Sequence, residues 1–171
     1  PDEIVEKFKA FNAAVVFSAE TSCFPWTHVQ SLYPTSLSLY KYLNSGGYIG
    51  YAWALQKVLG LDMTQCPCDQ GYLTYYYINH IHDENAQFKI ELDRRCVLFQ
   101  TAYGIPWSHF TIENGRLHNQ VTHTMPCFIH YNGQQHLMEN GASIMPIVDG
   151  FMKDGGVHDF KEYKQKFPVI C

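Results

Sequence analysis

Apolar positions open the chain at helical spacing and then run together. Ile4, Val5, Phe8 and Phe11 share one helical face, and Ala13-Ala14-Val15-Val16-Phe17 is a continuous apolar run of buried-strand length. The pattern predicts a helix followed by a central strand. Ligands of open α/β sheets gather beyond the carboxyl ends of the strands, so Ser18, Glu20 and the loop through Pro25 fall where a site is expected. Glu20 is therefore a candidate site acid. Its structural alternatives are capping a nearby helix or pairing with Lys41.

Residues 48–59 carry Ile49, Ala52, Trp53, Leu55, Val58 and Leu59 at helix-compatible spacing, with Gly60 placed for a left-handed cap. Asn44 or Ser45 is placed to cap the start. The Gly46-Gly47 pair then lets backbone N–H groups at a helix start approach a ligand, although most such pairs only make turns. Residues 70–81 predict an aromatic-rich helix with Leu73, Tyr76 or Tyr77, and Ile81 on its buried face and Asp69 at its head as a cap. Tyr75, Tyr76 and Tyr77 are consecutive and point in different directions, which favours core packing over a sugar-stacking platform.

Strict alternation in Phe88-Lys89-Ile90-Glu91-Leu92 predicts a half-buried strand, and Val97-Leu98-Phe99 a further one. Residues 110–117 read as a hairpin turning at Asn114-Gly115. Cys127-Phe128-Ile129 is a last short strand that ends on His130. Beyond residue 140 the chain reads as an exit segment, with Gly155-Gly156 and a charged stretch over 161–166. Neither repeats nor low-complexity tracts interrupt this order, so residues 1–171 are expected to form a single α/β domain.

Composition narrows the partners. The chain has 171 residues, 46% of them hydrophobic and 16% charged, as in ordinary globular proteins. Its formal charge of -4 and lack of a basic run argue against nucleic acid. The longest apolar runs, 13–17 and 144–148, fall far short of the ~20 residues of a membrane span. The first residues lack a basic start, an apolar core and an initiating Met, which reads as a processed chain or an excised piece. Six cysteines do not repeat at zinc-finger spacing and leave the compartment open. Cys66-Pro67-Cys68 is either a soft-metal pair or a tight loop with free thiols. Of nine histidines, His80, His82, His109, His118 and His123 carry structural or solvent roles by default.

Candidate chemistry concentrates in Leu43-Asn44-Ser45-Gly46-Gly47-Tyr48-Ile49-Gly50, Asp69-Gln70 and His130-Tyr131-Asn132-Gly133. Small polar groups beside glycines suit a polyhydroxylated ligand, while an acid and an imidazole add charge and metal affinity. With Phe17-Ser18-Ala19-Glu20, Cys23-Phe24-Pro25, Tyr33-Pro34, Arg94-Arg95 and Phe99-Gln100, these segments resemble the glycosyltransferase domain of the procollagen lysyl hydroxylase family over residues 1–140. Similar domains occur in large DNA viruses. The resemblance implies a GT-A-like open mixed sheet flanked by helices and transfer of glucose or galactose from a UDP-sugar to hydroxylysine-linked acceptors, with manganese or magnesium.

Carried over residue by residue, the resemblance makes His130 a metal ligand and Asp69 an acid near the reacting sugar, with Glu20 beside it as a second catalytic candidate. Asn44, Ser45, Gly46, Gly47, Phe24, Gln70, Asn132, Gly133 and His136 become candidate substrate-binding residues. The chemistry fits those types: a departing diphosphate gathers negative charge that a cation neutralises, and a carboxylate can steady an oxocarbenium-like carbon. Location would be the endoplasmic reticulum lumen for an animal procollagen enzyme and the host cytoplasm for a viral one.

Four departures stand out. The family's two metal-binding acids, with the nucleotide-binding strands that carry them, would lie before Pro1. Cys66-Pro67-Cys68 replaces an acidic run ahead of Asp69. Gln134-Gln135-His136 replaces Pro-Thr-Lys, leaving His136 as a partial substitute for a phosphate-contacting lysine. Phe24 stands in place of a tryptophan, keeping a stacking surface without its N–H donor. Three readings follow: a procollagen-type transferase, a transferase of the same fold with another glycan or protein acceptor, and a non-catalytic carbohydrate- or collagen-binding module.

Overall fold

The computed structural model describes residues 1–60 and 68–132, which form a mixed α/β arrangement of small open sheets and helices. The expected C-terminal exit segment, Cys66-Pro67, Gly133 and His136 lie outside the described residues.

Helix α1 (Asp2–Ala10) begins with Asp2 and Glu3 and ends with Lys7 and Lys9, a charge order that complements its dipole. It leads into β1 (Val15–Glu20), in which every residue is buried. Alternation divides the strand between two cores. Val15, Phe17 and Ala19 join the larger core with Ala54, Val58, Leu73, Tyr77 and Ile78, while Val16 packs with Phe8, Leu98 and Phe99. Ser18 and Glu20, expected beyond the strand, belong to it and are buried with the rest. The apolar run ends at Phe17, but ladder pairing carries the strand on to Glu20.

Strand β1 is the centre of a three-stranded sheet, antiparallel to β2 (Tyr42–Gly50) and parallel to β3 (Ile90–Asp93). The β1–β2 ladder holds an irregularity that decides the site. Phe17 pairs with Tyr48, yet the next residue, Ser18, pairs with Asn44, so Ser45, Gly46 and Gly47 stand outside the ladder as a bulge. This corrects two expectations. The glycine pair lies within a strand and not at a helix start, and neither Asn44 nor Ser45 caps α2 (Ala52–Leu59), whose N-cap is Tyr51. Gly60 ends α2 at φ −79°, not in the left-handed region expected for it.

Helix α3 (Asp69–Ile81) buries Leu73, Tyr77 and Ile78, as core packing of the tyrosine run requires; Tyr75 remains exposed against Trp26. Asp69 is the first helical residue, after Cys68 as N-cap, and so does not occupy the cap position. Its expected role as a cap is therefore not met, although a carboxylate in the first turn still favours the helix dipole. His80 and His82 bond separate backbone carbonyls, those of Phe88 and Leu32.

After β3 the chain turns through Cys96, at φ 51°, into β4 (Phe99–Thr101). The acid at the end of β3 governs this turn. Asp93 is fully buried, and its carboxylate accepts the backbone N–H groups of Val97 at 2.8 Å, Leu98 at 2.6 Å and Phe99 at 2.8 Å. The hairpin β5 (Phe110–Glu113) and β6 (Arg116–Asn119) turns on Asn114 and Gly115, both at positive φ, as expected. Arg116 clamps it to α1 through Glu3. Strand β7 (Phe128–His130) then pairs in parallel with β4, and Thr101 Oγ1 donates to the Ala19 carbonyl at 2.9 Å. That bond joins the second sheet to the end of β1.

Asp93→Asn turns an amide donor toward a ring of N–H donors and is expected to destabilise the fold by about 2–3 kcal/mol. Chemical denaturation measures it. A variant as stable as the parent would remove Asp93 from its governing place.

Candidate functional site

At the carboxyl end of β1 the chain gathers polar side chains in an otherwise apolar interior. Glu20 is 3% exposed. Gln70, the second residue of α3, donates from Nε2 to Glu20 Oε1 at 2.5 Å and to the Phe24 carbonyl at 3.1 Å. Asn132, just past β7, donates from Nδ2 to Glu20 Oε2 at 3.1 Å, while its Oδ1 accepts the N–H groups of Ala102 and Tyr103 at 3.1 Å. Both carboxylate oxygens thus meet amide donors. Burial still pushes the Glu20 carboxyl above its ordinary value, against the downward pull of the Asn44, Gln70 and Asn132 amides.

Gln70 also faces β2. Its Oε1 accepts from Asn44 Nδ2 at 3.3 Å, Ser45 N at 3.2 Å and Ser45 Oγ at 3.4 Å. On its other side, Asn44 Oδ1 accepts from Gly46 N at 3.0 Å and pairs with His130 Nδ1 at 2.9 Å. A carboxamide oxygen only accepts, so this pairing assigns the imidazole proton to Nδ1 and leaves the Nε2 lone pair open. Burial lowers the His130 pKa, which keeps the ring neutral near pH 7. A chain of contacts therefore runs from Glu20 through Gln70 and Asn44 to His130.

Space explains the glycines. A Cβ on Gly46 would stand 1.7 Å from His130 Cε1, and one on Gly47 would stand 2.8 Å from Phe99 Cδ1. Neither glycine has a positive φ, so a positive backbone angle is not their reason. The bulge presses backbone against the imidazole of β7 and the ring of β4, and only glycine leaves room.

Phe24 is 60% exposed and keeps its ring free for stacking, although its carbonyl is tied to Gln70. Asp69 is exposed beside the buried Gln70 at the head of α3. Glu20 is enclosed, and its contacts orient neighbouring amides. Among the described residues its carboxylate is held by those amides and pairs with neither a helix N-terminus nor the Lys41 side chain. Beyond the bulge, an open cavity of about 450 Å³ is lined by Gly46, Gly47, Tyr48, Phe99, Phe128 and His130 among others. Sequence reasoning misses the Asn44–His130 pair, which spans 86 positions. It also misses the governing role of Asp93, whose signal is an acid closing a strand before a turn.

Among the described residues no group of three or more His, Cys, Asp and Glu side chains could hold a metal ion. His130 offers one open nitrogen and Glu20 is occupied by amide donors. The described residues alone therefore do not fit Mn2+ or Mg2+, hard cations that take several oxygen ligands.

The order of these segments is shared with known proteins. A family model described as the PLOD GT domain matches residues 1–143. The chain belongs to the PLOD GT domain family. Over 144 residues, 82% of the chain, it is 33% identical to procollagen-lysine,2-oxoglutarate 5-dioxygenase 1 of Mus musculus and to the corresponding dioxygenase 2 of Homo sapiens. It is also 33% identical over 155 residues, 88% of the chain, to an uncharacterized protein of Acanthamoeba polyphaga mimivirus. The chain spans 20% of the mouse protein, 19% of the human one and 32% of the viral one. No helix among the described residues of this PLOD GT domain is long and apolar enough to cross a membrane.

Two outcomes test the geometry. His130 has a depressed folded pKa, so the stability of its neutral ring is present above its ordinary value of 6.5 and is lost as pH falls through the lower folded value. Stability from pH 7 to pH 5 is expected to fall less steeply in His130→Gln than in the parent; equal slopes would contradict the assignment. The raised carboxyl of Glu20 works in the opposite sense and is common to both proteins. Gly46→Ala is expected to drive the ring off Asn44, seen by 15N NMR as loss of the single Nδ1–H tautomer. An unchanged ring spectrum would show that the methyl group is accommodated.

Proposed function

We propose that this chain is part of a glycosyltransferase that moves a hexose, glucose or galactose, from a UDP-sugar to a hydroxylysine-linked or other protein or glycan acceptor. The observation that carries the reading is the family match across residues 1–143. The polar cluster at the end of β1 supports it.

In this reading Asp69 acts on the reacting sugar. Cleavage of the bond between the anomeric carbon and the diphosphate builds positive charge on that carbon, and a solvent-accessible carboxylate at the head of α3 can stabilise it or orient the acceptor hydroxyl. Glu20 serves as a positioning group, holding Gln70 and Asn132 so that amide and backbone groups of Asn44, Ser45, Gly46 and Gly47 meet sugar hydroxyls in a fixed arrangement. Phe24 offers an exposed ring for stacking on the sugar face. Gly133 and His136 are assigned to donor contacts on the resemblance alone. A Mn2+ or Mg2+ ion bound through His130 Nε2 would take its oxygen ligands from other parts of the intact protein.

Incubating the intact protein with UDP-glucose or UDP-galactose and a hydroxylysine-bearing collagen peptide, then following UDP release and hexose gain by mass spectrometry, tests this function. Transfer is expected. Asp69→Asn should lower turnover by about 100-fold or more while donor affinity changes little, because the lost interaction belongs to the transition state. Peptide binding without any transfer would favour the non-catalytic module, and full turnover in Asp69→Asn would remove Asp69 from the chemistry.

A further inference from the structure

The second half of α3, the turn before β3 and the start of β3 enclose an open cavity of about 570 Å³, at the opposite end of α3 from Gln70 and the Glu20 cluster. Gln70 and Tyr77 lie seven residues apart in α3, about 10 Å along its axis. The two places are thus separate.

Arg94 lines this cavity and has no carboxylate partner among the described residues. Its Nη2 donates to the Tyr77 hydroxyl at 3.2 Å, and its Nε is buried with no hydrogen-bond partner. Burial, the largest cause, pushes the Tyr77 hydroxyl up to about 12 despite the nearby guanidinium. Tyr77 thus stays protonated, and because its oxygen accepts from Arg94 its own proton is left to donate. A guanidinium and a hydroxyl side by side are donors in search of an oxyanion.

The surroundings choose the anion. Lys89 is already paired with Glu91 at 2.7 Å, and Asp83 adds a negative charge on the same wall. Net charge around Arg94 is close to balanced, which suits a planar monoanion better than a dianion such as phosphate. The walls suit more than a lone ion. The Phe88 and His80 rings lie 4.7 Å apart between centroids, with His80 fixed by its bond to the Phe88 carbonyl, and they offer an apolar flank for methylene groups. The cavity volume falls within the range of sites that hold a ligand much larger than a carboxylate.

We propose that this cavity is a carboxylate-binding site that takes a monoanionic carboxylate, with the methylene groups that carry it, against Arg94 and Tyr77; a short glutamate peptide serves as its probe. It stands apart from the transfer reading and does not rest on it.

Calorimetric titration of the chain with a capped Ala-Glu-Ala peptide, its Ala-Gln-Ala counterpart and inorganic phosphate tests the site. The glutamate peptide is expected to bind at least about tenfold more tightly than the glutamine peptide, the range of a charge-assisted hydrogen bond. Arg94→Gln should abolish that preference, and Tyr77→Phe should reduce it. Amide NMR shifts should map to Tyr77, Phe88 and Arg94. If Arg94→Gln unfolds, Arg94→Lys keeps the charge but loses the fork, and is expected to weaken the glutamate peptide selectively. Equal binding of the two peptides by the parent protein, tighter binding of phosphate, or shifts confined to other surfaces would each overturn the proposal.

Discussion

A carboxylate buried at the end of a central strand constrains the rest of this structure. An isolated charge cannot be held at 3% exposure without partners, because its loss of hydration is far larger than any packing gain. Glu20 obtains its partners from distant parts of the chain: Gln70 at the head of α3 and Asn132 after β7. Each must arrive in register for the carboxylate to be tolerated. Satisfying one acid therefore fixes where α3 starts and β7 ends relative to β1, and through Gln70 it fixes the bulge of β2 as well.

The bulge carries that order outward. Three residues leave the β1–β2 ladder, and the two glycines among them allow the His130 and Phe99 rings to lie against the backbone. Asn44 joins the two halves: its amide donates toward Gln70 and its oxygen holds the imidazole. Asp93 acts in the same manner one strand away, gathering three backbone N–H groups so that β4 starts where Phe99 can reach Gly47. Buried acids thus set loop geometry on both sides of β1. The resulting surface leaves Asp69, Phe24 and part of His130 accessible to solvent.

Much of the fold was legible because its signals are local. Periodicity located α1 and α3, a continuous apolar run located β1, and Asn114-Gly115 located the hairpin. The errors fell where tertiary contacts override local pattern. Residues 48–50 fit a helical period but are claimed by pairing with β1, and Ser18 and Glu20 look like loop residues until their buried partners are known. The grouping of the candidate residues was legible, since Glu20, Asn44, Ser45, Gly46, Gln70, Asn132 and His130 meet in space. Their division of labour was not legible. Whether an amide faces a ligand or a neighbouring acid depends on contacts spanning up to 112 positions, and a single sequence carries no record of those.

The central claim is that Glu20, Gln70, Asn44 and His130 act as one connected unit, and a double-mutant cycle measures it directly. Gln70 and His130 each hydrogen-bond Asn44, from opposite ends of its amide, which makes that side chain the shortest hydrogen-bonded link between them. Gln70→Ala, His130→Ala and the double variant, compared by chemical denaturation, are predicted to show a coupling energy of at least about 0.5 kcal/mol, as residues of one hydrogen-bonded network do. Additive effects of the two substitutions would contradict the account.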